Sequence, residues 1–151
     1  MTEKQRNEYF RNVDNNIREF GYHITTVLED EETTPFGYST GIFQNFKIPE
    51  IFISGLPSGL TRELIENYSN EYRFSKIPIL KVLKNLTNRF PVYLTKVSIE
   101  KLEEYVLSSI KYYDENHFEY IQLIYPDLKG NFPGEKNYDY DQEIFGKILN
   151  L

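Results

Sequence analysis

The stretch "FGYSTGIF", Phe36 to Phe43, decides the fold class. Gly37-Tyr38-Ser39-Thr40-Gly41 fits G-x-S-x-G, the pattern of a strained strand-to-helix elbow that exposes a nucleophilic serine above an α/β sheet. The same residues also alternate as a plain strand does: Phe36, Tyr38, Thr40 and Ile42 face one way, and Gly37, Ser39, Gly41 and Phe43 the other. An elbow needs a helix directly after it, and "IFQNFKIPE" (42–50) carries no helical stripe before Pro49. A triad in the hydrolase order would have to use His117 with an acid such as Asp114, and both lie in the polar turn "DENH" (114–117). The strand reading is taken, and Ser39 is a strand residue, not a nucleophile.

Outward from this stretch the pattern is that of an α+β chain. Upstream, Thr2 and Gln5 have capping-box spacing, Tyr9, Phe10, Val13, Ile17 and Phe20 recur at helical intervals, and Gly21 supplies a stop. "YHITTVLED" (22–30) then alternates with period two, and the polar "EDEETTP" (29–35) joins it to the Phe36 strand as a hairpin. "PEIFISGLP" (49–57) reads as a third strand, closed by Gly55 and Pro57. "SGLTRELIENYSNEYR" (58–73) reads as a helix capped by Ser58 or Thr61.

The second half is less regular. "KIPILKVLKNLTN" (76–88) carries both periods, and Pro78 favours strand or loop. "RFPVYLTKV" (89–97) is a strand. Ser98 caps a helix whose stripe is Ile99, Leu102, Tyr105, Val106, Ile110 and Tyr113. "FEYIQLIYPD" (118–127) is the last strand, and the tail is a loop ending in a short helix at "EIFGKIL" (143–149). Successive strands followed by interspersed helices predict an α+β fold: a largely antiparallel sheet of about five or six strands with three main helices packed on it.

Composition bounds the function. The 151 residues fit a single globular domain, a size that buries roughly 70% of the unfolded chain's surface. Cysteine is absent, which excludes disulfides, thiolate metal sites and cysteine nucleophiles. No signal-peptide pattern and no long apolar run is present, so the expected setting is the cytoplasm and no membrane partner is expected. With a net charge of -6 and scattered Lys and Arg, nucleic acid is not expected either. Tyr 13 and Phe 11 without Trp leave abundant rings, most of the phenylalanines as core filling and the tyrosines for core or contact surface.

No motif demands a cofactor or a metal. There is no phosphate loop and no G-x-G-x-x-G, "DLKGNFPGE" (127–135) lacks EF-hand spacing, and neither histidine has a partner at metal-ligand spacing. The run Glu29 to Glu32 reads as a solvated turn.

Several motifs resemble a bacterial family, domain of unknown function 4262. Members carry E-x-G-(W/Y)-H-x-x-x-V, matched here by Gly21, Tyr22, His23 and Val27, then a P-x-(F/Y) segment matched by Phe36, Tyr38, Ser39 and Gly41. P-E and G-L-P correspond to Pro49, Glu50, Gly55, Leu56 and Pro57. The late Q-L-x-(W)-P-D…G-x-F-P corresponds to Gln122, Pro126, Asp127, Gly130, Phe132 and Pro133. Tyr125 and Gly134 stand where the family prefers tryptophan, and threonine is common at Ser39. The resemblance implies a small cytoplasmic bacterial domain and no particular activity.

The matched polar residues His23, Tyr38, Glu50, Gln122 and Asp127 lie on or beside strands, where they form a structural polar network or line a cleft. The leading expectation is a non-catalytic binding domain of accessory or immunity type with a protein partner, contacted through Tyr38, Ser39, Gln122 and Tyr125. The alternative is a small enzyme or small-molecule binder in which His23 is the acid/base and Glu50 or Asp127 its partner, which requires hydrogen-bond contact between them.

Overall fold

A computed structural model describes residues 1–150. The chain runs α1 (Glu3–Phe20), β1 (His23–Val27), β2 (Phe36–Thr40), α2 (Ile42–Phe46), β3 (Glu50–Ser54), α3 (Ser58–Tyr72), β4 (Tyr93–Val97), α4 (Ile99–Leu102), α5 (Leu107–Tyr113) and β5 (Tyr120–Ile124). The strands form one sheet in the order β1-β2-β3-β5-β4. β3 and β5 pair in parallel, and the other neighbours are antiparallel. The α+β class and the mostly antiparallel sheet match the sequence reading. Three of the five helices are seven residues or longer.

Local signals place the first elements. The Thr2 hydroxyl accepts the Gln5 amide at 3.1 Å while the Gln5 side chain accepts the Thr2 amide at 2.8 Å, so the capping box closes as its spacing predicts. Gly21 ends α1 at φ 93, a conformation that suits glycine, and returns its N–H to the Ile17 carbonyl at 2.9 Å.

The three central strands are buried along their whole length, because both sheet faces are covered. Period two divides their side chains between two cores. Ile51, Ile53, Ile121, Leu123 and Leu94 pack with Leu64, Ile65 and Tyr68 of α3. Phe36, Tyr38, Phe52, Tyr120 and Val97 pack with Leu102, Val106 and Tyr113 of the α4–α5 side. One face is therefore aliphatic and the other aromatic, which absorbs much of the ring content. Among the described residues no helix is long and apolar enough to cross a membrane.

Four local expectations are corrected. First, a helix does follow Gly41: α2 begins at Ile42. Five residues are too few to display a stripe, and the helix is capped by Glu50 of the strand that follows it. Second, Pro57, not Ser58 or Thr61, occupies the N-cap position of α3, without a side-chain cap bond. Thr61 is instead buried against Gly37, where an added Cβ would come within 2.4 Å of its methyl.

Third, the helix expected from Ser98 to Tyr113 is broken after Leu102. Val106 leaves helical geometry at φ -94, ψ 53, and the new first turn at Leu107 presents the Ser108 amide to the Tyr38 hydroxyl at 3.1 Å. Fourth, "EIFGKIL" is not helical. Strand side chains take its backbone groups instead: Ser54 Oγ accepts the Glu143 N–H, Gln122 binds Glu143 O and Phe145 N, Thr95 donates to Lys147 O, and Tyr93 accepts Leu149 N–H. Gly146 lets this tail touch the sheet, since a Cβ there would lie 2.7 Å from Lys96 O. Residues 76–88 form a loop with one isolated bridge, Leu83 to Val92.

Candidate functional site

Glu50 opens β3 fully buried, and its carboxylate meets five donors. Oε1 accepts the Ser39 hydroxyl at 2.6 Å and the Ile42 amide at 3.3 Å, while Oε2 accepts the Gly41 amide at 2.8 Å, the Phe43 amide at 3.0 Å and the Tyr113 hydroxyl. Three of the five are the otherwise unsatisfied N–H groups at the start of α2, so Glu50 caps that helix from the first residue of the next strand. Burial is the largest influence and leaves the Glu50 pKa raised, against the bonds from Ser39, Tyr113, Phe43 and Gly41, which lower it. The three amides can only donate, and the Ser39 and Tyr113 hydroxyls donate here while accepting the Ile51 and Gln44 N–H groups, so the carboxylate is the form that satisfies all five at once.

The elbow question is answered at the same place. The sharp turn is at Gly41, φ 108, where an added Cβ would meet Gly21 O at 2.9 Å. Ser39 sits two residues earlier, within β2 and fully buried. Its Oγ donates to Glu50 and accepts the Ile51 N–H at 3.0 Å, replacing a backbone acceptor where the β2–β3 ladder stops at Tyr38↔Phe52. Neither His23 nor His117 touches it: His23 bonds to Asn16 and His117 to Glu119.

A second layer of hydroxyls spreads from here. Tyr120 donates to Ser39 O at 2.7 Å, and Ser109 Oγ lies 2.8 Å from Tyr120 Oη and 2.7 Å from Thr40 Oγ1. Tyr9 Oη lies 2.6 Å from Thr25 Oγ1 and 3.0 Å from Ser108 Oγ, tying α1 and α5 to β1. Burial pushes the Tyr113 and Tyr120 hydroxyls well above their ordinary pKa, with the Glu50 charge adding to it, so both are neutral donors. Among the described residues no buried side-chain nitrogen or oxygen lacks a partner.

The other sequence-predicted residues lie apart. His23 Nδ1 is 2.9 Å from the Asn16 amide, which donates to it and leaves the ring proton on Nε2. Burial, with Arg62 nearby, holds the His23 pKa below its ordinary value. Asp127 organises its own loop: Oδ1 accepts the amides of Lys129 and Asn131, both at 2.9 Å, and Oδ2 that of Asp139 at 3.1 Å. Burial raises the Asp127 pKa, but the amides of Asn131, Lys129 and Asp139 outweigh it and leave the carboxyl below its usual range. His23, Glu50 and Asp127 share no hydrogen bond, and each has its own partners. Gln122 pins the tail, and Tyr125 donates to Ser54 O at 2.6 Å while its backbone exchanges two bonds with the Gln142 side chain.

Where β1, β3 and β5 end, a groove of ≈ 560 Å³ opens beside the hairpin loop. Glu29, Asp30, Glu31, Glu32 and Asp141 line it, together with Thr33, Thr34, Pro35, Gly55, Leu56, Pro57, Tyr125 and Tyr140. No basic side chain contributes to the lining. Read as sequence, the acidic run is a solvated turn, Tyr113 is one residue of a helical stripe, and nothing singles out Tyr140, Asp141 or Ser109. The G-L-P and Tyr125 motif positions were the available signal for the groove, and nothing in the spacing linked Tyr113 or Ser109 to Glu50.

A family model described as Domain of unknown function (DUF4262) matches residues 16–139, and the chain belongs to that family. No curated protein and no solved structure matches it.

Proposed function

We propose that this member of the family is a non-catalytic binding domain that holds a cationic segment of a protein partner in its acidic, tyrosine-edged groove. The carrying observation is the lining itself: five carboxylates with no compensating cation, on a floor of Tyr125 and Gly55–Leu56–Pro57. Such a surface attracts Lys and Arg by field, and the exposed ring of Tyr140 offers a face for a stem or charged head. The side chains that could have done acid/base work are engaged elsewhere: Glu50 caps α2, Asp127 closes a loop and His23 accepts from Asn16. An accessory or immunity-type role, covering a basic partner surface, is the form of binding proposed. A bacterial, cytoplasmic setting is part of the proposal, on the family resemblance and a sequence without cysteine.

The test is titration calorimetry with a Lys/Arg-rich peptide, a length-matched neutral peptide and stepped salt. Binding of the basic peptide alone, weakening with salt and lost when Glu29, Asp30, Glu31 and Glu32 are changed to their amides, supports the proposal. A control variant neutralising Glu3, Glu8, Asp14 and Glu19 on α1 keeps binding. Equal binding of the neutral peptide, or equal loss in the control, removes the groove from the account.

A further inference from the structure

The two edges of the sheet are finished differently. The β4 edge is covered: Leu80 N–H donates to Leu94 O at 2.8 Å, and the tail at Gly146 and Lys147 lies over Thr95 and Lys96. The β1 edge has no such cover. The Gly55 N–H bonds to Pro35 O, so the odd-numbered residues of β2 exchange hydrogen bonds with β3. Its even-numbered residues, Phe36, Tyr38 and Thr40, therefore exchange with Val27, Thr25 and His23 of β1. Ile24 and Thr26 direct their N–H and C=O groups the other way, off the sheet, and among the described residues no protein group bonds to them.

An open edge is normally blunted by proline, lysine or a bulge, and "HITTV" has none of these. The acidic run Glu29–Glu32 begins two residues past the end of β1, so the open edge leads directly into the proposed groove.

We propose that β1 receives an extended segment of the partner as a sixth, antiparallel strand, with lysine and arginine residues preceding that segment and lying against Glu29–Glu32. This deepens the groove reading and rests on it. Antiparallel pairing brings the segment's N-terminal end to the C-terminal end of β1, where the carboxylates stand. Strand addition recognises main chain, and the pattern it selects is alternating β-branched residues behind a basic head. A second copy of this chain is a poor occupant, since each carries a net charge of -6 and has no basic run to set against Glu29–Glu32.

The probe is an acetylated peptide, Lys-Arg-Lys-Thr-Val-Thr-Val-Thr, followed by calorimetry and residue-resolved amide exchange on the full chain. Amide exchange at Ile24 and Thr26 slows at least tenfold on binding, while Thr25, already paired, changes little. Thr26→Pro, which deletes one outward N–H at an edge position, weakens binding at least tenfold, and Thr26→Ala stays within twofold. If the peptide binds with the salt and charge dependence of the groove but Ile24 and Thr26 exchange as before, strand addition is overturned and the groove reading survives. Absence of binding overturns both. Protection of the same amides in a dimer, without peptide, assigns the edge to a second copy and overturns the proposal.

Discussion

Replacing Glu50 with glutamine puts an NH2 group into a shell of three amide N–H groups and two hydroxyls that donate to the carboxylate. Turned one way, the amide faces the Gly41 and Phe43 N–H groups and the Tyr113 hydroxyl. Turned the other way, it faces the Ser39 hydroxyl and the Ile42 N–H, the smaller loss. Each buried donor left without an acceptor costs about 1–3 kcal/mol, so Glu50→Gln is expected to lose about 2–6 kcal/mol. That is a large part of the roughly 5–15 kcal/mol that holds a domain folded. Urea unfolding followed by circular dichroism reads it as a lower midpoint at unchanged slope. A loss under about 1 kcal/mol would refute the donor-shell reasoning: the carboxyl would then already be protonated, as burial by itself favours, and the amide would mimic it. A 13C titration of the Glu50 carboxyl distinguishes the two directly.

Gly41→Ala forces a side chain into φ 108 and to 2.9 Å from Gly21 O, and is expected to cost about 2 kcal/mol or more in the same unfolding assay. Ser39 stays unlabelled by fluorophosphonate probes in the native protein, because its hydroxyl is buried between Glu50 and the Ile51 amide; rapid native-state labelling would contradict that geometry. Tyr125→Phe strands the Ser54 carbonyl and is expected to cost about 1–2 kcal/mol, while a change within measurement error would mean that the bond contributes nothing net. His23 titrates below its unfolded value, so the unfolded chain binds more protons near pH 6 and stability falls as pH drops through about 6.5. His23→Gln flattens that part of the pH profile, and an unchanged slope would show that His23 does not contribute to it.

Much of this architecture is written locally. The capping box at Thr2 and Gln5, the stop at Gly21 and the period-two runs around Ile24, Tyr38, Phe52, Leu94 and Gln122 each depend on residues a few positions apart, and those elements stand where the pattern puts them. The family motifs were equally legible as spacing. Three of the failures share one cause: the stabilising partner lies on a different element. α2 exists because Glu50 caps it from β3, the break before α5 carries Ser108 to Tyr38, and the tail stays extended because Ser54, Thr95 and Gln122 take its backbone groups.

For the site, the residue types could be picked out of the sequence, but their uses could not. A buried glutamate, a strand histidine and a loop aspartate look alike as candidates, and only packing separates a helix cap from an amide-held ring and a loop clasp. The acidic run reads as a solvated turn until the ends of β3 and β5 bring Gly55, Tyr125 and Asp141 beside it. Short-range preferences are set by neighbouring residues, so the chain's pattern determines its elements. Hydrogen-bond partners and grooves depend on which distant segments meet, and that was decided by the tertiary structure.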